Sequence, residues 1–446
     1  MKNGYHRSHT IRGTARSTDC SDNPGRLVYQ ALLSWYSVTD IFKTQNYEWR
    51  VFMKHVMLNA AEMKAFNRRL ILEHLRQQGT SRAELSRKTG LTRAAIGVIA
   101  DQLLKEGILR EGGTQQAFGG IGRKSMELEI NPDAFYSLGL NISRHSFSVG
   151  LSDFAGRIHQ HVRKSFDSSM SCGEILDKIC AEIDRLISVP LTSAPLLPGR
   201  FLGMGITAPG PIDTRRGMIL NPPNFEKWSN VPIVDFFAAK IQGRVLLENN
   251  ANALALAEKT YGLKGAYVSF LELVVDSGVG AGLIINNELF KGTEGFGNEI
   301  GHTTIQINGP RCSCGNYGCV ELYASIPNLI ATVSKTDISL SSWQAIADKA
   351  QKGSPTAQAA LDLEAEYLAC AIVNAVNVLD VQAVVLTGDI AFHAEELNRI
   401  IGRKVNERFI ARGAKKIEIL STRLALDPVI LSSANLIMDS YIRTGE

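Results

Sequence analysis

The chain has 446 residues, 45% of them apolar, and a formal net charge of +4. That is enough apolar material for two or three cored domains, and it excludes a chain disordered throughout. Seven cysteines without framework spacing exclude a disulfide-built secreted fold and suit a reducing cytoplasm, and no run of about eighteen apolar residues exists to span a membrane.

The charge is unevenly spread: 8 basic against 4 acidic residues over 1–60, 12 against 8 over 61–130, and 28 against 32 in the remainder. A basic front end is weak evidence for a nucleic-acid partner, because solvated lysines and arginines alone produce it. Residues 1–60 mix His, Ser, Thr and Arg with an aromatic patch (Trp35, Tyr36, Phe42, Tyr47, Trp49, Phe52) and show no sustained period. We expect a poorly ordered or mis-annotated extension here, with a helix somewhere over 50–62. A start at Met57 or Met63 is equally compatible with the sequence.

From Ala65 the pattern sharpens. Phe66, Leu70, Ile71, His74 and Leu75 recur at helical spacing, and Gly79 ends the run. Ser81-Arg-Ala-Glu84 predicts a capping box opening a short helix to Thr89. Gly90 turns the chain and Thr92 caps a third helix over 93–106, whose apolar stripe is Ile96, Ile99, Leu103 and Leu104. A strand over 108–110, a Gly- and Gln-rich loop over 111–122 and a strand over 124–130 follow, the last with Met126, Leu128 and Ile130 alternating with Glu127 and Glu129. The whole, residues 63–131, reads as a winged helix-turn-helix. Its DNA surface would be Thr92, Arg93, Ala94 and Gly97, with Ser81 at the preceding helix and Arg123 and Lys124 at the wing. A protein-interaction module of the same helices is the alternative.

Past Asn131-Pro132 the chain predicts two similar lobes. Strands over 136–142, 145–152 and 158–165, a helix over 172–188 and a strand over 202–206 make the first. Strands over 267–275, 280–285 and 383–386 with a helix over 357–379 make the second. Between these last strands lies Gly295-Phe-Gly-Asn-Glu-Ile-Gly-His302, followed by Cys312, Cys314, Cys319 and Glu321. Three thiolates and one imidazole satisfy a tetrahedral zinc ion completely, so the expected role is structural. Gly315 and Gly318 let the backbone turn sharply between the sulfurs. Three small buried cysteines without a metal are the bland alternative.

This block, with Asp276-Ser-Gly-Val-Gly-Ala-Gly-Leu283 and Glu248-Asn-Asn-Ala-Asn-Ala-Leu-Ala-Leu-Ala-Glu258, resembles the ROK family, named for its repressors, open reading frames and sugar kinases. The resemblance implies a two-lobed actin-like, ribonuclease H-like α/β domain over 134–446. Its lobes would be about 134–250 and 251–430, followed by a C-terminal helix. It also implies a monosaccharide between the lobes, held at the positions of Asn249, Asn250, Glu299, His302 and Glu321, with Asn224 and the backbone near Gly210 as further contacts. His302 has two ring nitrogens, so it is open to both metal and sugar. The family's kinases use the aspartate of Glu-Asn-Asp as general base, and here that position is Asn250. Their Asp-x-Gly-Gly-Thr phosphate loop stands here as Asn141-Ile-Ser-Arg-His145, without the acid or either glycine.

The reading is therefore an α+β multidomain protein: a cytoplasmic, sugar-responsive DNA-binding regulator that is not an enzyme. It would carry structural zinc and bind operator DNA as a homodimer or homotetramer. The rivals are an ATP-dependent sugar kinase and a sugar-binding module with protein partners.

Overall fold

The computed structural model describes residues 59–115, 125–167, 169–188, 199–223, 225–424 and 427–445. The expectations for residues 1–58, for Arg123 and Lys124 and for Asn224 lie outside them. Asn59 caps the first helix, α1 (Ala60–Gln77), in a complete capping box: its Oδ1 accepts from the amides of Ala61 and Glu62, and its own amide donates to Glu62 at 2.8 Å. The helix thus begins five residues before the apolar spacing announces it.

Strand β1 (Thr80–Ser81) leads into α2 (Arg82–Thr89), Gly90 adopts φ +73°, and Thr92 caps α3 (Arg93–Lys105). The expected box at Ser81 is only half formed. Its hydroxyl accepts from the Glu84 amide, but the Glu84 carboxylate is drawn to Arg87 one turn on. Strand β2 (Leu109–Gln115) runs through what the composition marks as loop, and β3 (Ser125–Ile130) returns against it. A register shift between Glu111 and Thr114 absorbs Gly112 and Gly113, so the glycines make a bulge rather than end the strand. β1 adds to the far edge of β3, giving the order β1-β3-β2.

Two five-stranded sheets follow with one plan. In the first, β4 (Tyr136–Ile142), β5 (Ser146–Asp153) and β6 (Ile158–Ser165) form an antiparallel meander. After α4 (Cys172–Ser188), β7 (Phe201–Ala208) joins β4 in parallel. The short hairpin β8 (Ile212–Asp213) and β9 (Met218–Ile219) and helix α5 (Ile233–Ala238) lead to β10 (Arg244–Asn249), parallel to β7. Helix α6 (Asn250–Ala257) leaves directly from it.

In the second sheet, β11 (Phe270–Val275), β12 (Val279–Ile285) and β13 (Glu288–Phe290) repeat the meander. Helices α7 (Glu321–Ala324), α8 (Ile326–Val333), α9 (Trp343–Gln351) and α10 (Pro355–Leu379) precede β14 (Ala383–Thr387). Helix α11 (Glu395–Arg408) then precedes β15 (Glu418–Ser421), and both strands extend the sheet in parallel. Each expected strand of the two lobes is present, and β8, β9, β10, β13 and β15 are additions that the apolar pattern does not announce.

The last helix, α12 (Pro428–Thr444), packs back on the first sheet. Its backbone comes so near that a Cβ on Gly205 would lie 1.9 Å from the Ser433 carbonyl, and one on Gly139 2.5 Å from that of Ile430. α12 also carries the front helices. Tyr441 joins Phe135 and Phe154 in an aromatic cluster with centroids 4.5 to 5.8 Å apart. Glu288 of β13 sits between Arg69 of α1 at 2.8 Å and Arg443 of α12 at 2.6 Å. Among the described residues, no helix is long and apolar enough to cross a membrane.

Two outcomes are expected. Gly205→Ala forces α12 off the sheet and costs about 1–3 kcal/mol, read as a lowered thermal-unfolding midpoint; an unchanged midpoint contradicts the close approach. Partial burial works against ionising Glu288, but Arg443 and Arg69 outweigh it and hold its pKa down to about 2. The junction therefore contributes fully above about pH 4.3 and is lost as pH falls toward the folded value. The wild type should lose stability below about pH 4 more steeply than Glu288→Gln, and parallel profiles would refute the assignment.

Candidate functional site: a metal knuckle beside an interlobe cleft

The chain leaves β13, turns at Ile300–His302 and presses Gly301 onto β12, where a Cβ would lie 1.9 Å from the Val279 carbonyl. That contact fixes His302 at the base of a knuckle built on two bridges, Thr304 to Cys319 and Arg311 to Tyr317. Gly315 and Gly318 adopt φ +98° and +61°, as their place between the sulfurs requires. Asn316 Nδ2 donates to the His302 carbonyl at 3.0 Å and ties the two ends together.

Cys312 Sγ lies 3.7 Å from His302 Nδ1 and Cys314 Sγ lies 3.8 Å from Cys319 Sγ. The four ligand atoms are all within 4.8 Å of one another. Donors held about 2.0–2.3 Å from one ion at tetrahedral angles stand about 3.5–3.8 Å apart, so the set fits a single four-coordinate ion. It is the one such cluster among the described residues. With Nδ1 turned to the sulfurs, Nε2 of His302 is the nitrogen left for a neighbour.

Glu321 starts α7 as the knuckle ends, and its Oε2 accepts from the Val279 amide at 3.1 Å. Glu299 stands at the open rim near His302 and Glu321. Protein around its carboxyl strips water and raises its pKa, the His302 imidazole opposes this, and Glu321 adds to it. Gly210 packs against this group: a Cβ there would lie 2.9 Å from Asn249 Nδ2 and 3.1 Å from Glu299 Oε1. Gly210 thus brings Asn249 beside Glu299, and His302 and Glu321 lie close enough to act on the Glu299 carboxyl. Lys291 ties the second lobe to Glu248 of the first at 2.9 Å, and Asn298 fastens the same loop to Asn252 of α6 at 3.1 Å.

Asn249 and Asn250 carry structural duties as well. Asn249 Oδ1 caps α6 by accepting from the Ala251 amide at 2.8 Å, and Asn250 Oδ1 accepts from Asn141 Nδ2 at 3.0 Å. Asn141 also donates to Thr207 Oγ1 at 2.9 Å. The position of a kinase base is thus an amide paired to another amide, and neither can take a proton at neutral pH.

The sequence marks 141–145 only as a lost phosphate loop and misses what fills it. Arg144 reaches across from the β4–β5 turn, donates to the Ser277 carbonyl at 3.1 Å and lies 3.9 Å from Glu321. A cation in a loop where the resemblance places glycine is the signal that would have found it.

At the front of the chain, Thr92, Arg93 and Ala94 are exposed on α3 and Gly97 is half-buried, with nothing within 4 Å of a Cβ. Ser81 differs from expectation. It is buried in the β1 edge with its hydroxyl occupied by the α2 cap, so it does not face outward.

Residues 137–427 match the family description "ROK family". A xylose repressor of Caldicellulosiruptor bescii is 30% identical over 404 residues, covering 87% of this chain and 100% of its own length. A glucokinase of Thermotoga maritima is 27% identical and covers 97% of its own length, but 68% of this chain. Among solved structures, a ROK family transcriptional regulator described as a homologue of E. coli Mlc superposes with TM-score 0.70 at 23% identity. It covers 85% of this chain and 97% of its own. With its two repeated sheets, its knuckle and these matches, the chain belongs to the ROK family.

Proposed function

We propose that this protein is a sugar-responsive DNA-binding transcriptional repressor working in the cytoplasm. Residues 63–131 serve as a winged helix-turn-helix and residues 134–446 as the sensor, a homodimer placing two heads on operator half-sites about one helical turn or a multiple of it apart. What supports the reading is a group of polar side chains suited to ring hydroxyls beside positions that lack the acid and glycines phosphoryl transfer needs. Asn249, Glu299, His302 and Glu321 stand together, while Asn250 and Arg144 hold the places of base and phosphate loop. The extent of the matches supports it too, because the repressor aligns over more of this chain than the glucokinase does.

Carboxylates and amides in fixed positions around a ring hydroxyl each supply a directed hydrogen bond, and one left unpaired costs about 1–3 kcal/mol. Zinc bound by His302, Cys312, Cys314 and Cys319 would supply a fixed anchor for the loop bearing Glu321. His302 would use Nδ1 for the metal and offer Nε2 to the sugar. Sugar binding draws the lobes together. α1 is tied to the second lobe through Arg69–Glu288 and to α12 through Arg68–Tyr441 and Arg76–Asn435. A change of lobe angle must therefore move α1 or break a tie, and couplings of this kind are about 1–3 kcal/mol, roughly 5- to 150-fold in operator affinity.

The relatives' name makes xylose the first sugar to try. In a gel-shift with DNA from upstream of its own gene, the protein should bind, release on adding the sugar, and bind less tightly as Arg93→Ala with sugar affinity unchanged. Sugar-dependent ADP release from ATP would instead establish the kinase reading. Cys314→Ser should lose bound zinc and much of the folded protein, measured by metal analysis and circular dichroism. Full zinc content in that variant would refute the ligand set.

A further inference from the structure

The outward face of α3 carries more than the residues its spacing marks. Ile96, Ile99, Ala100 and Leu103 are buried, and at 100° per residue the opposite side of the helix holds Ala94, Gly97, Val98 and Asp101. Val98 is 68% exposed, and with Met126 it is one of two large apolar side chains exposed among the described residues before Pro132. Neither Val98 nor Gly97 serves the helix itself. β-Branched residues and glycine both weaken a helix relative to alanine. A Cβ at Gly97 would meet nothing within 4 Å, so no internal packing requires the glycine.

The charges around this face point to its occupant. Arg93 is exposed on its first turn, and the preceding helix α2 ends in Arg87, 77% exposed, and Lys88, both beside Glu84. The one acid on the face, Asp101, is neutralised by Arg82 at 2.8 Å. Exposed cations on the same two helices as a small apolar centre complement a major groove, with phosphates on both edges and base edges on its floor. On that floor only thymine offers an apolar group, its C5 methyl; every other base edge offers donors and acceptors. Valine over those would strip their water without replacing the hydrogen bonds.

We propose that Val98, backed by Ala94 and admitted by Gly97, reads a thymine methyl in each operator half-site, resting on the DNA-binding reading above. Gly97 lets the backbone approach, and Val98 sets which base pair is tolerated beneath it. It is a specificity determinant, distinct from the phosphate-seeking Arg93.

The test uses the full-length protein and a random-sequence duplex pool, from which the bound sequence is enriched and resynthesised with uracil replacing each thymine in turn. With uracil placed at the equivalent thymine of both half-sites together, wild-type binding should weaken about sixteenfold, about fourfold for each buried methyl group. Val98→Ala, which keeps the fold because the side chain is exposed, should lose a similar factor on thymine DNA and nothing further on uracil DNA. Independent, multiplying losses overturn the proposal, as does a bound sequence indifferent to uracil at every thymine. A Val98→Ala protein that changes oligomeric state yet keeps the full uracil effect assigns the side chain to a protein contact, which also overturns it. Failure to enrich any sequence removes the DNA-binding reading itself, and this inference with it.

Discussion

The close approach of α12 to the first sheet is the constraint on which the rest of the structure depends. Two glycines, Gly139 and Gly205, remove the side chains that would hold the helix away. Once seated, α12 aligns Ser433 Oγ with Thr207 Oγ1 at 2.7 Å, and Thr207 in turn accepts from Asn141 at the cleft. At its other end the same helix presents Tyr441 to Arg68 of α1, and Arg443 to Glu288, which also holds Arg69 of α1. One helix thus touches both Thr207 beside Asn141 and the front helix α1. A movement at either end is felt at the other because packed helices shift as units.

On the proposed reading, the group of Asn249, Glu299, His302 and Glu321 would hold an uncharged polar ligand. Its carboxylates are positioned by backbone and by the knuckle, as the Val279 amide on Glu321 illustrates. The groups that phosphoryl transfer would need are engaged elsewhere or replaced: Asn250 is paired with Asn141, and Arg144 occupies the approach to Ser277 and Glu321. Arg144 also joins a turn of the first lobe to a loop of the second. The position that would grip a phosphate has become a contact between the lobes themselves.

Much of this was legible in the chain. The knuckle is local, so its spacing fixes the cluster, and both glycines adopt the positive φ their positions demand. The strands of both lobes follow from short apolar runs, and α4 begins and ends where its period does. Errors arose where two local signals competed. Glu84 had the choice of the Ser81 amide or Arg87 and took the cation, and Gly112-Gly113 reads as a loop but was absorbed as a bulge. Ser81 looked available to DNA because its partner across β1, Glu127 of β3, lies far along the chain.

The sequence by itself determined most of the elements, the His and Cys set that could hold a metal and the absence of the acid and glycines from 141–145, because each of these is written in residue types a few positions apart. Only the tertiary structure decided that Glu288 links Arg69 to Arg443 and that Arg144 reaches Ser277 and Glu321. It alone also decided that Gly210 lies beside Asn249 and Glu299. Those pairs are separated by tens to hundreds of residues, and charge, size and period carry no record of which distant partner a side chain will meet.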